Sequence, residues 1–107
     1  MTFRGLIIAI LALTSLSFSA HAQDIEAGKK KAEACAACHG PDGNSAAPDF
    51  PRLAGQHHDY LVKALSDYKA GERKNAIMAP QAANLSKRDI EDLAAYFSRQ
   101  QGLVVKY

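Results

Sequence analysis

The sequence predicts an all-α fold in a single domain. Three stretches place apolar side chains at helical spacing, whereas Val, Ile and Thr are scarce and no segment alternates apolar and polar residues as a strand would. The 107 residues suit one domain, and 48% hydrophobic with 22% charged residues is a globular composition. With 13 Lys and Arg against 11 Asp and Glu, the charge is too balanced for a nucleic-acid binder.

The first helix is predicted over about Ile25–Cys38. Asp24 is suited to be its N-cap, and Gly40 and Pro41 end it. The run Lys29–Lys31 turns through most of a helical circumference and is countered by nearby acidic residues. We therefore expect these lysines to form a solvated helix face rather than a binding patch.

The second and third helices are amphipathic. The second is predicted over about His57–Ala70 and ends at Gly71; its apolar face carries Leu61, Ala64, Leu65 and Tyr68. The third begins after Ser86, which forms a capping-box pattern with Asp89, and it ends before Gly102. Its apolar face carries Ile90, Leu93, Ala94 and Phe97.

Two long segments between the helices, Gly40–Gly55 and Glu72–Leu85, are predicted to be irregular. The first holds three of the four prolines. Because loops of this length are uncommon in a small domain without a function, we expect a bound group to lie between them.

The N-terminal segment has the pattern of a secretory signal peptide. A positively charged start precedes the apolar stretch Leu6–Phe18, and Ala20–Ala22 is a small-x-small cleavage site. We expect residues 1–22 to be removed after Ala22, leaving residues 23–107 as one periplasmic domain. The alternative is an uncleaved anchor, but the apolar stretch is interrupted by polar residues and is shorter than the roughly 20 residues that span a membrane.

Residues Cys35–His39 read C-x-x-C-H, the pattern for covalent attachment of a c-type haem. Thiols three residues apart fall on one side of a helical turn, where both can reach the vinyl groups along one side of a porphyrin. His39 is then placed to bind the iron. We expect one haem c per chain, attached through thioethers at Cys35 and Cys38.

Three other interpretations of the cysteine pair are weaker. A zinc site needs about four ligands, and neither a second cysteine pair nor H-x-x-x-H follows. A thioredoxin-type redox pair needs a βαβ setting, for which the chain has no strands. A structural disulfide leaves His39 and the proline-rich loop unexplained.

Met78 is predicted to be the second axial ligand of the iron. Once the leader is removed it is the only methionine, and it lies near Pro80 in the second irregular segment rather than in an apolar stripe. His57 and His58, at the start of the second helix, are the alternative. A thioether stabilises ferrous iron and leaves no open coordination position, so a His39/Met78 pair indicates electron transfer.

Several ordered motifs then carry a family resemblance. These are Cys35–Gly40, the PRLAGQ segment 51–56, Met78, and Leu85–Gln100 with its LAAYF core. Together they resemble small class I bacterial cytochromes c, in particular one module of the di-haem c-four type, over nearly all of Ile25–Gln101. The chain departs from that type in having a single haem motif, so transfer between two haems of one chain is not expected.

The resemblance implies a fold of three to four helices around one haem, with the first and last helices crossing. Gly28 would then face Tyr96 or Phe97. It also implies that the Pro51 carbonyl accepts a hydrogen bond from His39 and that Leu53 presses on the haem. Five polar residues are candidates for contact with the haem propionates or the Met78 sulfur. Each is equally well explained as an ordinary surface or core residue. They are Arg52, Gln56, Tyr60, Tyr68 and Asn75.

The expected function is electron transfer in the periplasm rather than enzymatic catalysis. Its partners would be transient redox proteins, such as membrane-bound oxidase or reductase complexes, and the protein would be a monomer or a weak homodimer. Two alternatives remain open. One is a gas-binding or sensing haem protein in which Met78 is displaceable, and the other is an electron-entry subunit of a larger dehydrogenase or reductase.

Overall fold

The structure is a computed structural model that describes residues 24–102, and within this range the regular elements are all helical. In chain order they are α1 (Ile25–Lys31), a 3₁₀ turn (Ala32–Ala34), α2 (Ala36–His39), α3 (His58–Ala70), α4 (Met78–Ala83) and α5 (Lys87–Ser98). The all-α prediction is confirmed. The predicted signal peptide and its cleavage after Ala22 lie outside the described residues. Among residues 24–102, no helix has both the length and the apolar character needed to cross a membrane.

The first predicted helix is divided into three pieces. Asp24 caps α1 as expected, because its side chain accepts a hydrogen bond from the Ala27 N–H at 3.1 Å. After Lys31 the chain tightens, and the Cys35 N–H bonds to the Ala32 carbonyl three residues back at 2.9 Å. A 3₁₀ turn has about 3.0 residues per turn rather than 3.6. The side chains of α2 are therefore not in phase with those of α1.

Helices α1 and α5 cross at Gly28, which is buried. A Cβ at this position would lie 2.1 Å from the Asp92 carbonyl oxygen and 2.9 Å from the Tyr96 Cβ. The resemblance implies that Tyr96 or Phe97 lies opposite this glycine; Tyr96 is there, together with Asp92. The reason is helical phase, since Asp92 and Tyr96 are four residues apart on one face of α5. Only glycine allows this close approach.

A buried carboxylate joins the same two helices. Asp92 is 1% exposed and accepts hydrogen bonds from the Asp24 N–H at 3.0 Å and the Lys31 ammonium at 2.7 Å. Burial raises the pKa of Asp92, but these two bonds, together with the positive charges of Lys31 and Arg88, outweigh it and leave the pKa below its usual value. Lys31 also lies 2.9 Å from Asp89. The expectation of a solvated lysine face is therefore wrong for Lys31, because α5 supplies two carboxylates beside it.

The core lies between α1, α3 and α5. Its buried members are Ala32, Leu61, Leu93, Ala94, Tyr96 and Phe97. Helix α3 ends at Gly71, as predicted, in the left-handed conformation with φ of 78°. Helix α5 begins with the predicted capping box, since Ser86 and Asp89 each accept the other's backbone N–H.

The second predicted loop contains a helix that the sequence analysis missed. Helix α4 begins at Met78 and includes Pro80 in its first turn. Proline is tolerated there because the first N–H groups of a helix have no partner within it. With only six residues and one buried side chain, Ala82, this helix has too little apolar periodicity to be recognised.

Candidate cofactor site

A cavity of about 560 Å³ opens into the described part of the chain. This volume lies within the range of cofactor and small-molecule sites, roughly 300–1,000 Å³. The residues that line it come from α2, both interhelical segments, α3, α4 and α5. They include all six residues singled out from the sequence, which are Cys35, Cys38, His39, Pro51, Leu53 and Met78.

The two cysteines lie on the wall of this cavity. Both are half-buried thiols that are not bonded to each other. The His39 N–H bonds to the Cys35 carbonyl at 2.9 Å, which is one helical turn. Burial, with a smaller contribution from nearby Cys38, raises the pKa of Cys35 and keeps the thiol protonated. The first cysteine and the histidine of the motif are thus fixed by a single turn of α2.

The His39 ring is held in one orientation. It is 7% exposed, and its Nδ1 lies 2.8 Å from the Pro51 carbonyl oxygen. A carbonyl can only accept, so Nδ1 carries a proton, and in the neutral tautomer this leaves the lone pair on Nε2. The Phe50 ring packs edge-on against the imidazole, with centroids 6.5 Å apart. This arrangement suits a metal ligand, because a bond to the second nitrogen fixes the tautomer and strengthens the donor.

Ser45 supports the Pro51 carbonyl indirectly and is a residue that the sequence analysis missed. Its buried hydroxyl contacts the carbonyl oxygens of Ala47, at 3.0 Å, and of Phe50, the residue before Pro51. Nothing in the sequence distinguishes this serine from a solvated loop serine. Its role depends on the path that the folded loop takes.

The loop that carries Pro51 is tied to α5 and the residues just after it by three long-range hydrogen bonds. The Tyr96 hydroxyl donates to the Pro41 carbonyl at 2.8 Å, and the Gly55 N–H donates to the Phe97 carbonyl at 2.9 Å. The Asn44 amide donates to the Gln101 carbonyl just beyond the helix, also at 2.8 Å. The position of the His39 side of the cavity is therefore set by the last helix of the domain.

Met78 enters the cavity from the beginning of α4. The Asn75 side-chain oxygen accepts the N–H groups of Ile77 and Met78, each at 2.9 Å. The Asn75 backbone carbonyl accepts the Ala79 N–H at 3.0 Å. Met78 is half-buried, whereas Asn75 and Ile77 are exposed. This side of the cavity is thus shaped by one residue and its near neighbours.

The five polar residues named from the sequence, Arg52, Gln56, Tyr60, Tyr68 and Asn75, all line the same cavity. Arg73 joins them and was missed, because it follows the end of α3 with no periodic pattern around it. Its guanidinium lies 4.7 Å from the centre of the Tyr68 ring and 3.4 Å from the Tyr60 hydroxyl. The hydrogen bond to Tyr60, with smaller contributions from Tyr68, raises the pKa of Arg73 above its usual value.

The two alternative histidine ligands are placed elsewhere. Neither His57 nor His58 is among the described residues that line the cavity. The His58 ring lies between two carboxylates, with Nδ1 3.0 Å from Asp59 and Nε2 3.1 Å from Glu91. The geometry therefore gives the bis-histidine alternative no support.

The residues present fit a covalently bound haem. The cavity is largely apolar, and its wall combines a thiol pair, an imidazole with a free lone pair and a thioether. Thiols form thioether bonds, and imidazole and thioether sulfur are iron ligands in haem proteins.

Comparison with known proteins agrees with this chemistry. Residues 25–100 match the family model for cytochrome c. The chain is 47% identical to cytochrome c4 of Pseudomonas aeruginosa over 97 residues, which cover 90% of this chain and 48% of that protein. It is 46% identical to cytochrome c-554(548) of Halomonas halodenitrificans over 83 residues, which cover 75% of this chain and all of that protein.

A solved structure shares the fold as well. The crystal structure of reduced recombinant cytochrome c4 from Pseudomonas stutzeri superposes with a TM-score of 0.72 at 51% identity, over 78% of this chain and 48% of that one. The chain thus spans about half the length of the cytochrome c4 proteins it matches. The protein has the class I cytochrome c fold, resembles one cytochrome c4 module, and belongs to the cytochrome c family.

Proposed function

We propose that this protein carries single electrons on one haem c in the cavity described above. Cys35 and Cys38 hold the haem through two thioethers, and His39 and Met78 are the axial ligands of its iron. The observation that carries the proposal is that one cavity is lined by the complete C-x-x-C-H motif and by Met78, which comes from a separate segment of the chain.

When bound, the haem supplies reversible one-electron chemistry between ferrous and ferric iron. The chain's residues define how that chemistry is used. The hydrogen bond from His39 to Pro51 orients the imidazole and increases its donor strength. The Met78 sulfur favours the ferrous state and raises the reduction potential. With both axial positions filled by side chains, no position is open for a substrate, so the protein is a carrier and not an enzyme.

The wider setting follows from the same proposal. Residues 1–22 are a signal peptide cleaved after Ala22, and the domain of residues 23–107 works in the periplasm, where covalent attachment protects both thiols from oxidation. Its donor and acceptor are redox proteins that bind it transiently, through the small interfaces typical of electron transfer.

Optical spectra test the proposal. The protein is exported from a host that attaches haem c, and spectra are recorded oxidised, reduced and reduced under carbon monoxide, with acid extraction to detect covalent haem. We expect haem that resists extraction, sharp bands of a low-spin haem, a weak far-red sulfur-to-iron band when oxidised, and no response to carbon monoxide. Haem that is absent or extractable contradicts the proposal, and a clear carbon monoxide shift favours the gas-binding alternative.

Met78→Ala tests the second ligand separately. We expect this variant to retain covalent haem, to lose the far-red band, to have a lower reduction potential and to bind carbon monoxide. Cys35→Ser with Cys38→Ser is the control for attachment, since its haem should be extractable. An unchanged far-red band in Met78→Ala would show that another group is the ligand.

A further inference from the structure

We infer that Asn75 is the positioning residue that keeps Met78 in the cavity. The inference rests on the proposed function, in which Met78 is an axial ligand. From the sequence, Asn75 is a candidate neighbour of the propionates or of the Met78 sulfur, or an ordinary surface or core residue. Its side-chain oxygen instead accepts backbone N–H groups at the start of α4.

The first turn of a helix has N–H groups that no helical carbonyl can accept. At the start of α4 the donors are the N–H groups of Ile77, Met78 and Ala79, and all three bond to Asn75. The next residue, Pro80, has no N–H to satisfy. One residue therefore accepts the three consecutive N–H groups around Met78, two through its side chain and one through its backbone carbonyl.

This dependence matters because α4 has only six residues. A helix this short is not stable by itself, since forming the first turn is unfavourable and few hydrogen bonds follow. Asn75 and Ile77 are exposed, so little burial fixes the turn from that side. The conformation that directs Met78 into the cavity thus depends strongly on the three bonds to Asn75.

The consequence concerns displacement of the ligand. In this inference, an external ligand replaces Met78 on the iron when the turn that carries Met78 unfolds, which breaks the side-chain bonds to Asn75. The Asn75 side chain therefore contributes to the cost of displacement. Removing it makes displacement easier without changing either proposed iron ligand.

The test titrates imidazole into the oxidised holoprotein and follows the loss of the far-red band. A lost helix cap costs about 1 kcal/mol, so Asn75→Ala should bind imidazole about fivefold more tightly than the wild type. Asn75→Asp keeps an oxygen acceptor and is an equally good cap, so it should stay within about twofold of the wild type.

Ser86→Ala is the matched control. It removes a cap from α5, a helix that carries no proposed iron ligand, and should lower the melting temperature while leaving the imidazole affinity unchanged. The inference is overturned if Asn75→Ala binds imidazole like the wild type, if Asn75→Asp binds imidazole as tightly as Asn75→Ala, or if Ser86→Ala has the same effect. A far-red band that survives in Met78→Ala would overturn the assignment of Met78 as a ligand. Failure of that assignment is therefore distinguishable from failure of the positioning role of Asn75.

Discussion

The two segments that supply the proposed iron ligands are held in different ways. His39 is buried and bonds to Pro51, and the loop that carries Pro51 is tied to α5 by bonds that span more than forty residues of sequence, such as Tyr96 to Pro41. Met78 is half-buried, and the turn that carries it is shaped by Asn75, three residues away.

This difference in how the two segments are held separates haem retention and global stability from iron coordination. The His39 side exists only when the whole domain is folded, because the contacts that shape it join the two ends of the described chain. The hydrogen bonds that shape the Met78 turn are local, although α4 also packs against α3. We therefore expect this side to change more readily while the rest of the domain stays folded. Changes on the first side should therefore affect haem retention or global stability, and changes on the second should affect the iron coordination alone.

The largest effect is expected from His39→Ala. The variant removes the buried imidazole, its bond to Pro51 and the proposed iron ligand, so we expect most of the haem-loaded protein to be lost. The measurement is the ratio of haem absorbance to protein after export. Met78→Ala is the comparison, since it should keep its haem. Equal haem content in the two variants would remove the distinction between the sides.

Gly28→Ala tests how far the His39 side depends on the helix crossing. The added methyl would lie 2.1 Å from the Asp92 carbonyl oxygen, which is backbone and cannot move aside alone. We expect a loss of about 1–3 kcal/mol or more in the free energy of unfolding, measured by denaturant titration. Lys29→Ala, at an exposed position of the same helix, is the control. If both variants unfold alike, α1 and α5 do not cross as described.

Ser45→Ala sharpens the comparison within the His39 side. It leaves the Ala47 and Phe50 carbonyls without their hydroxyl donor, so we expect a loss of about 1–2 kcal/mol in the free energy of unfolding. The far-red band, which reports on Met78, should be unchanged. Denaturant titration and the oxidised spectrum of the same sample provide both readings, and a shifted band would mean that the two sides are coupled.

The smallest effect is expected from acid. The bonds from the Lys31 ammonium and the Ser86 N–H lower the pKa of Asp89 to about 2. Because the folded pKa is lower than the unfolded one, this contribution to stability is present above about pH 4 and is lost as the pH falls toward 2. Asp89→Asn should remove part of that acid dependence, by less than about 1 kcal/mol since the pair is partly exposed.

Thermal unfolding at pH 5 and pH 3 measures this difference. Glu26→Gln, an exposed acid on α1, is the control and should follow the wild type. If Asp89→Asn loses as much stability between the two pH values as the wild type, the Lys31 pair does not contribute to acid sensitivity.

The sequence predicts the fold class and all three long helical segments because caps and apolar periodicity are local patterns. It does not reveal the 3₁₀ turn before Cys35 or the short helix α4, since neither leaves a periodic signal. The motif Cys35–His39 is recognisable because attachment chemistry dictates its spacing. Ser45 and the role of Asn75 in holding α4 are not, because their partners are backbone groups whose positions depend on the folded path of the chain.

The crossing of α1 and α5 also sets an order of events in folding. Asp92 and its partners at Asp24 and Lys31 are more than sixty residues apart, so the crossing is a contact of high sequence separation and closes slowly. A chain synthesised only as far as Ser86 already contains both thiols and Met78 but lacks the helix that completes the cavity. We therefore expect both cysteines to be more accessible before the last helix packs than in the folded domain, where they are half-buried.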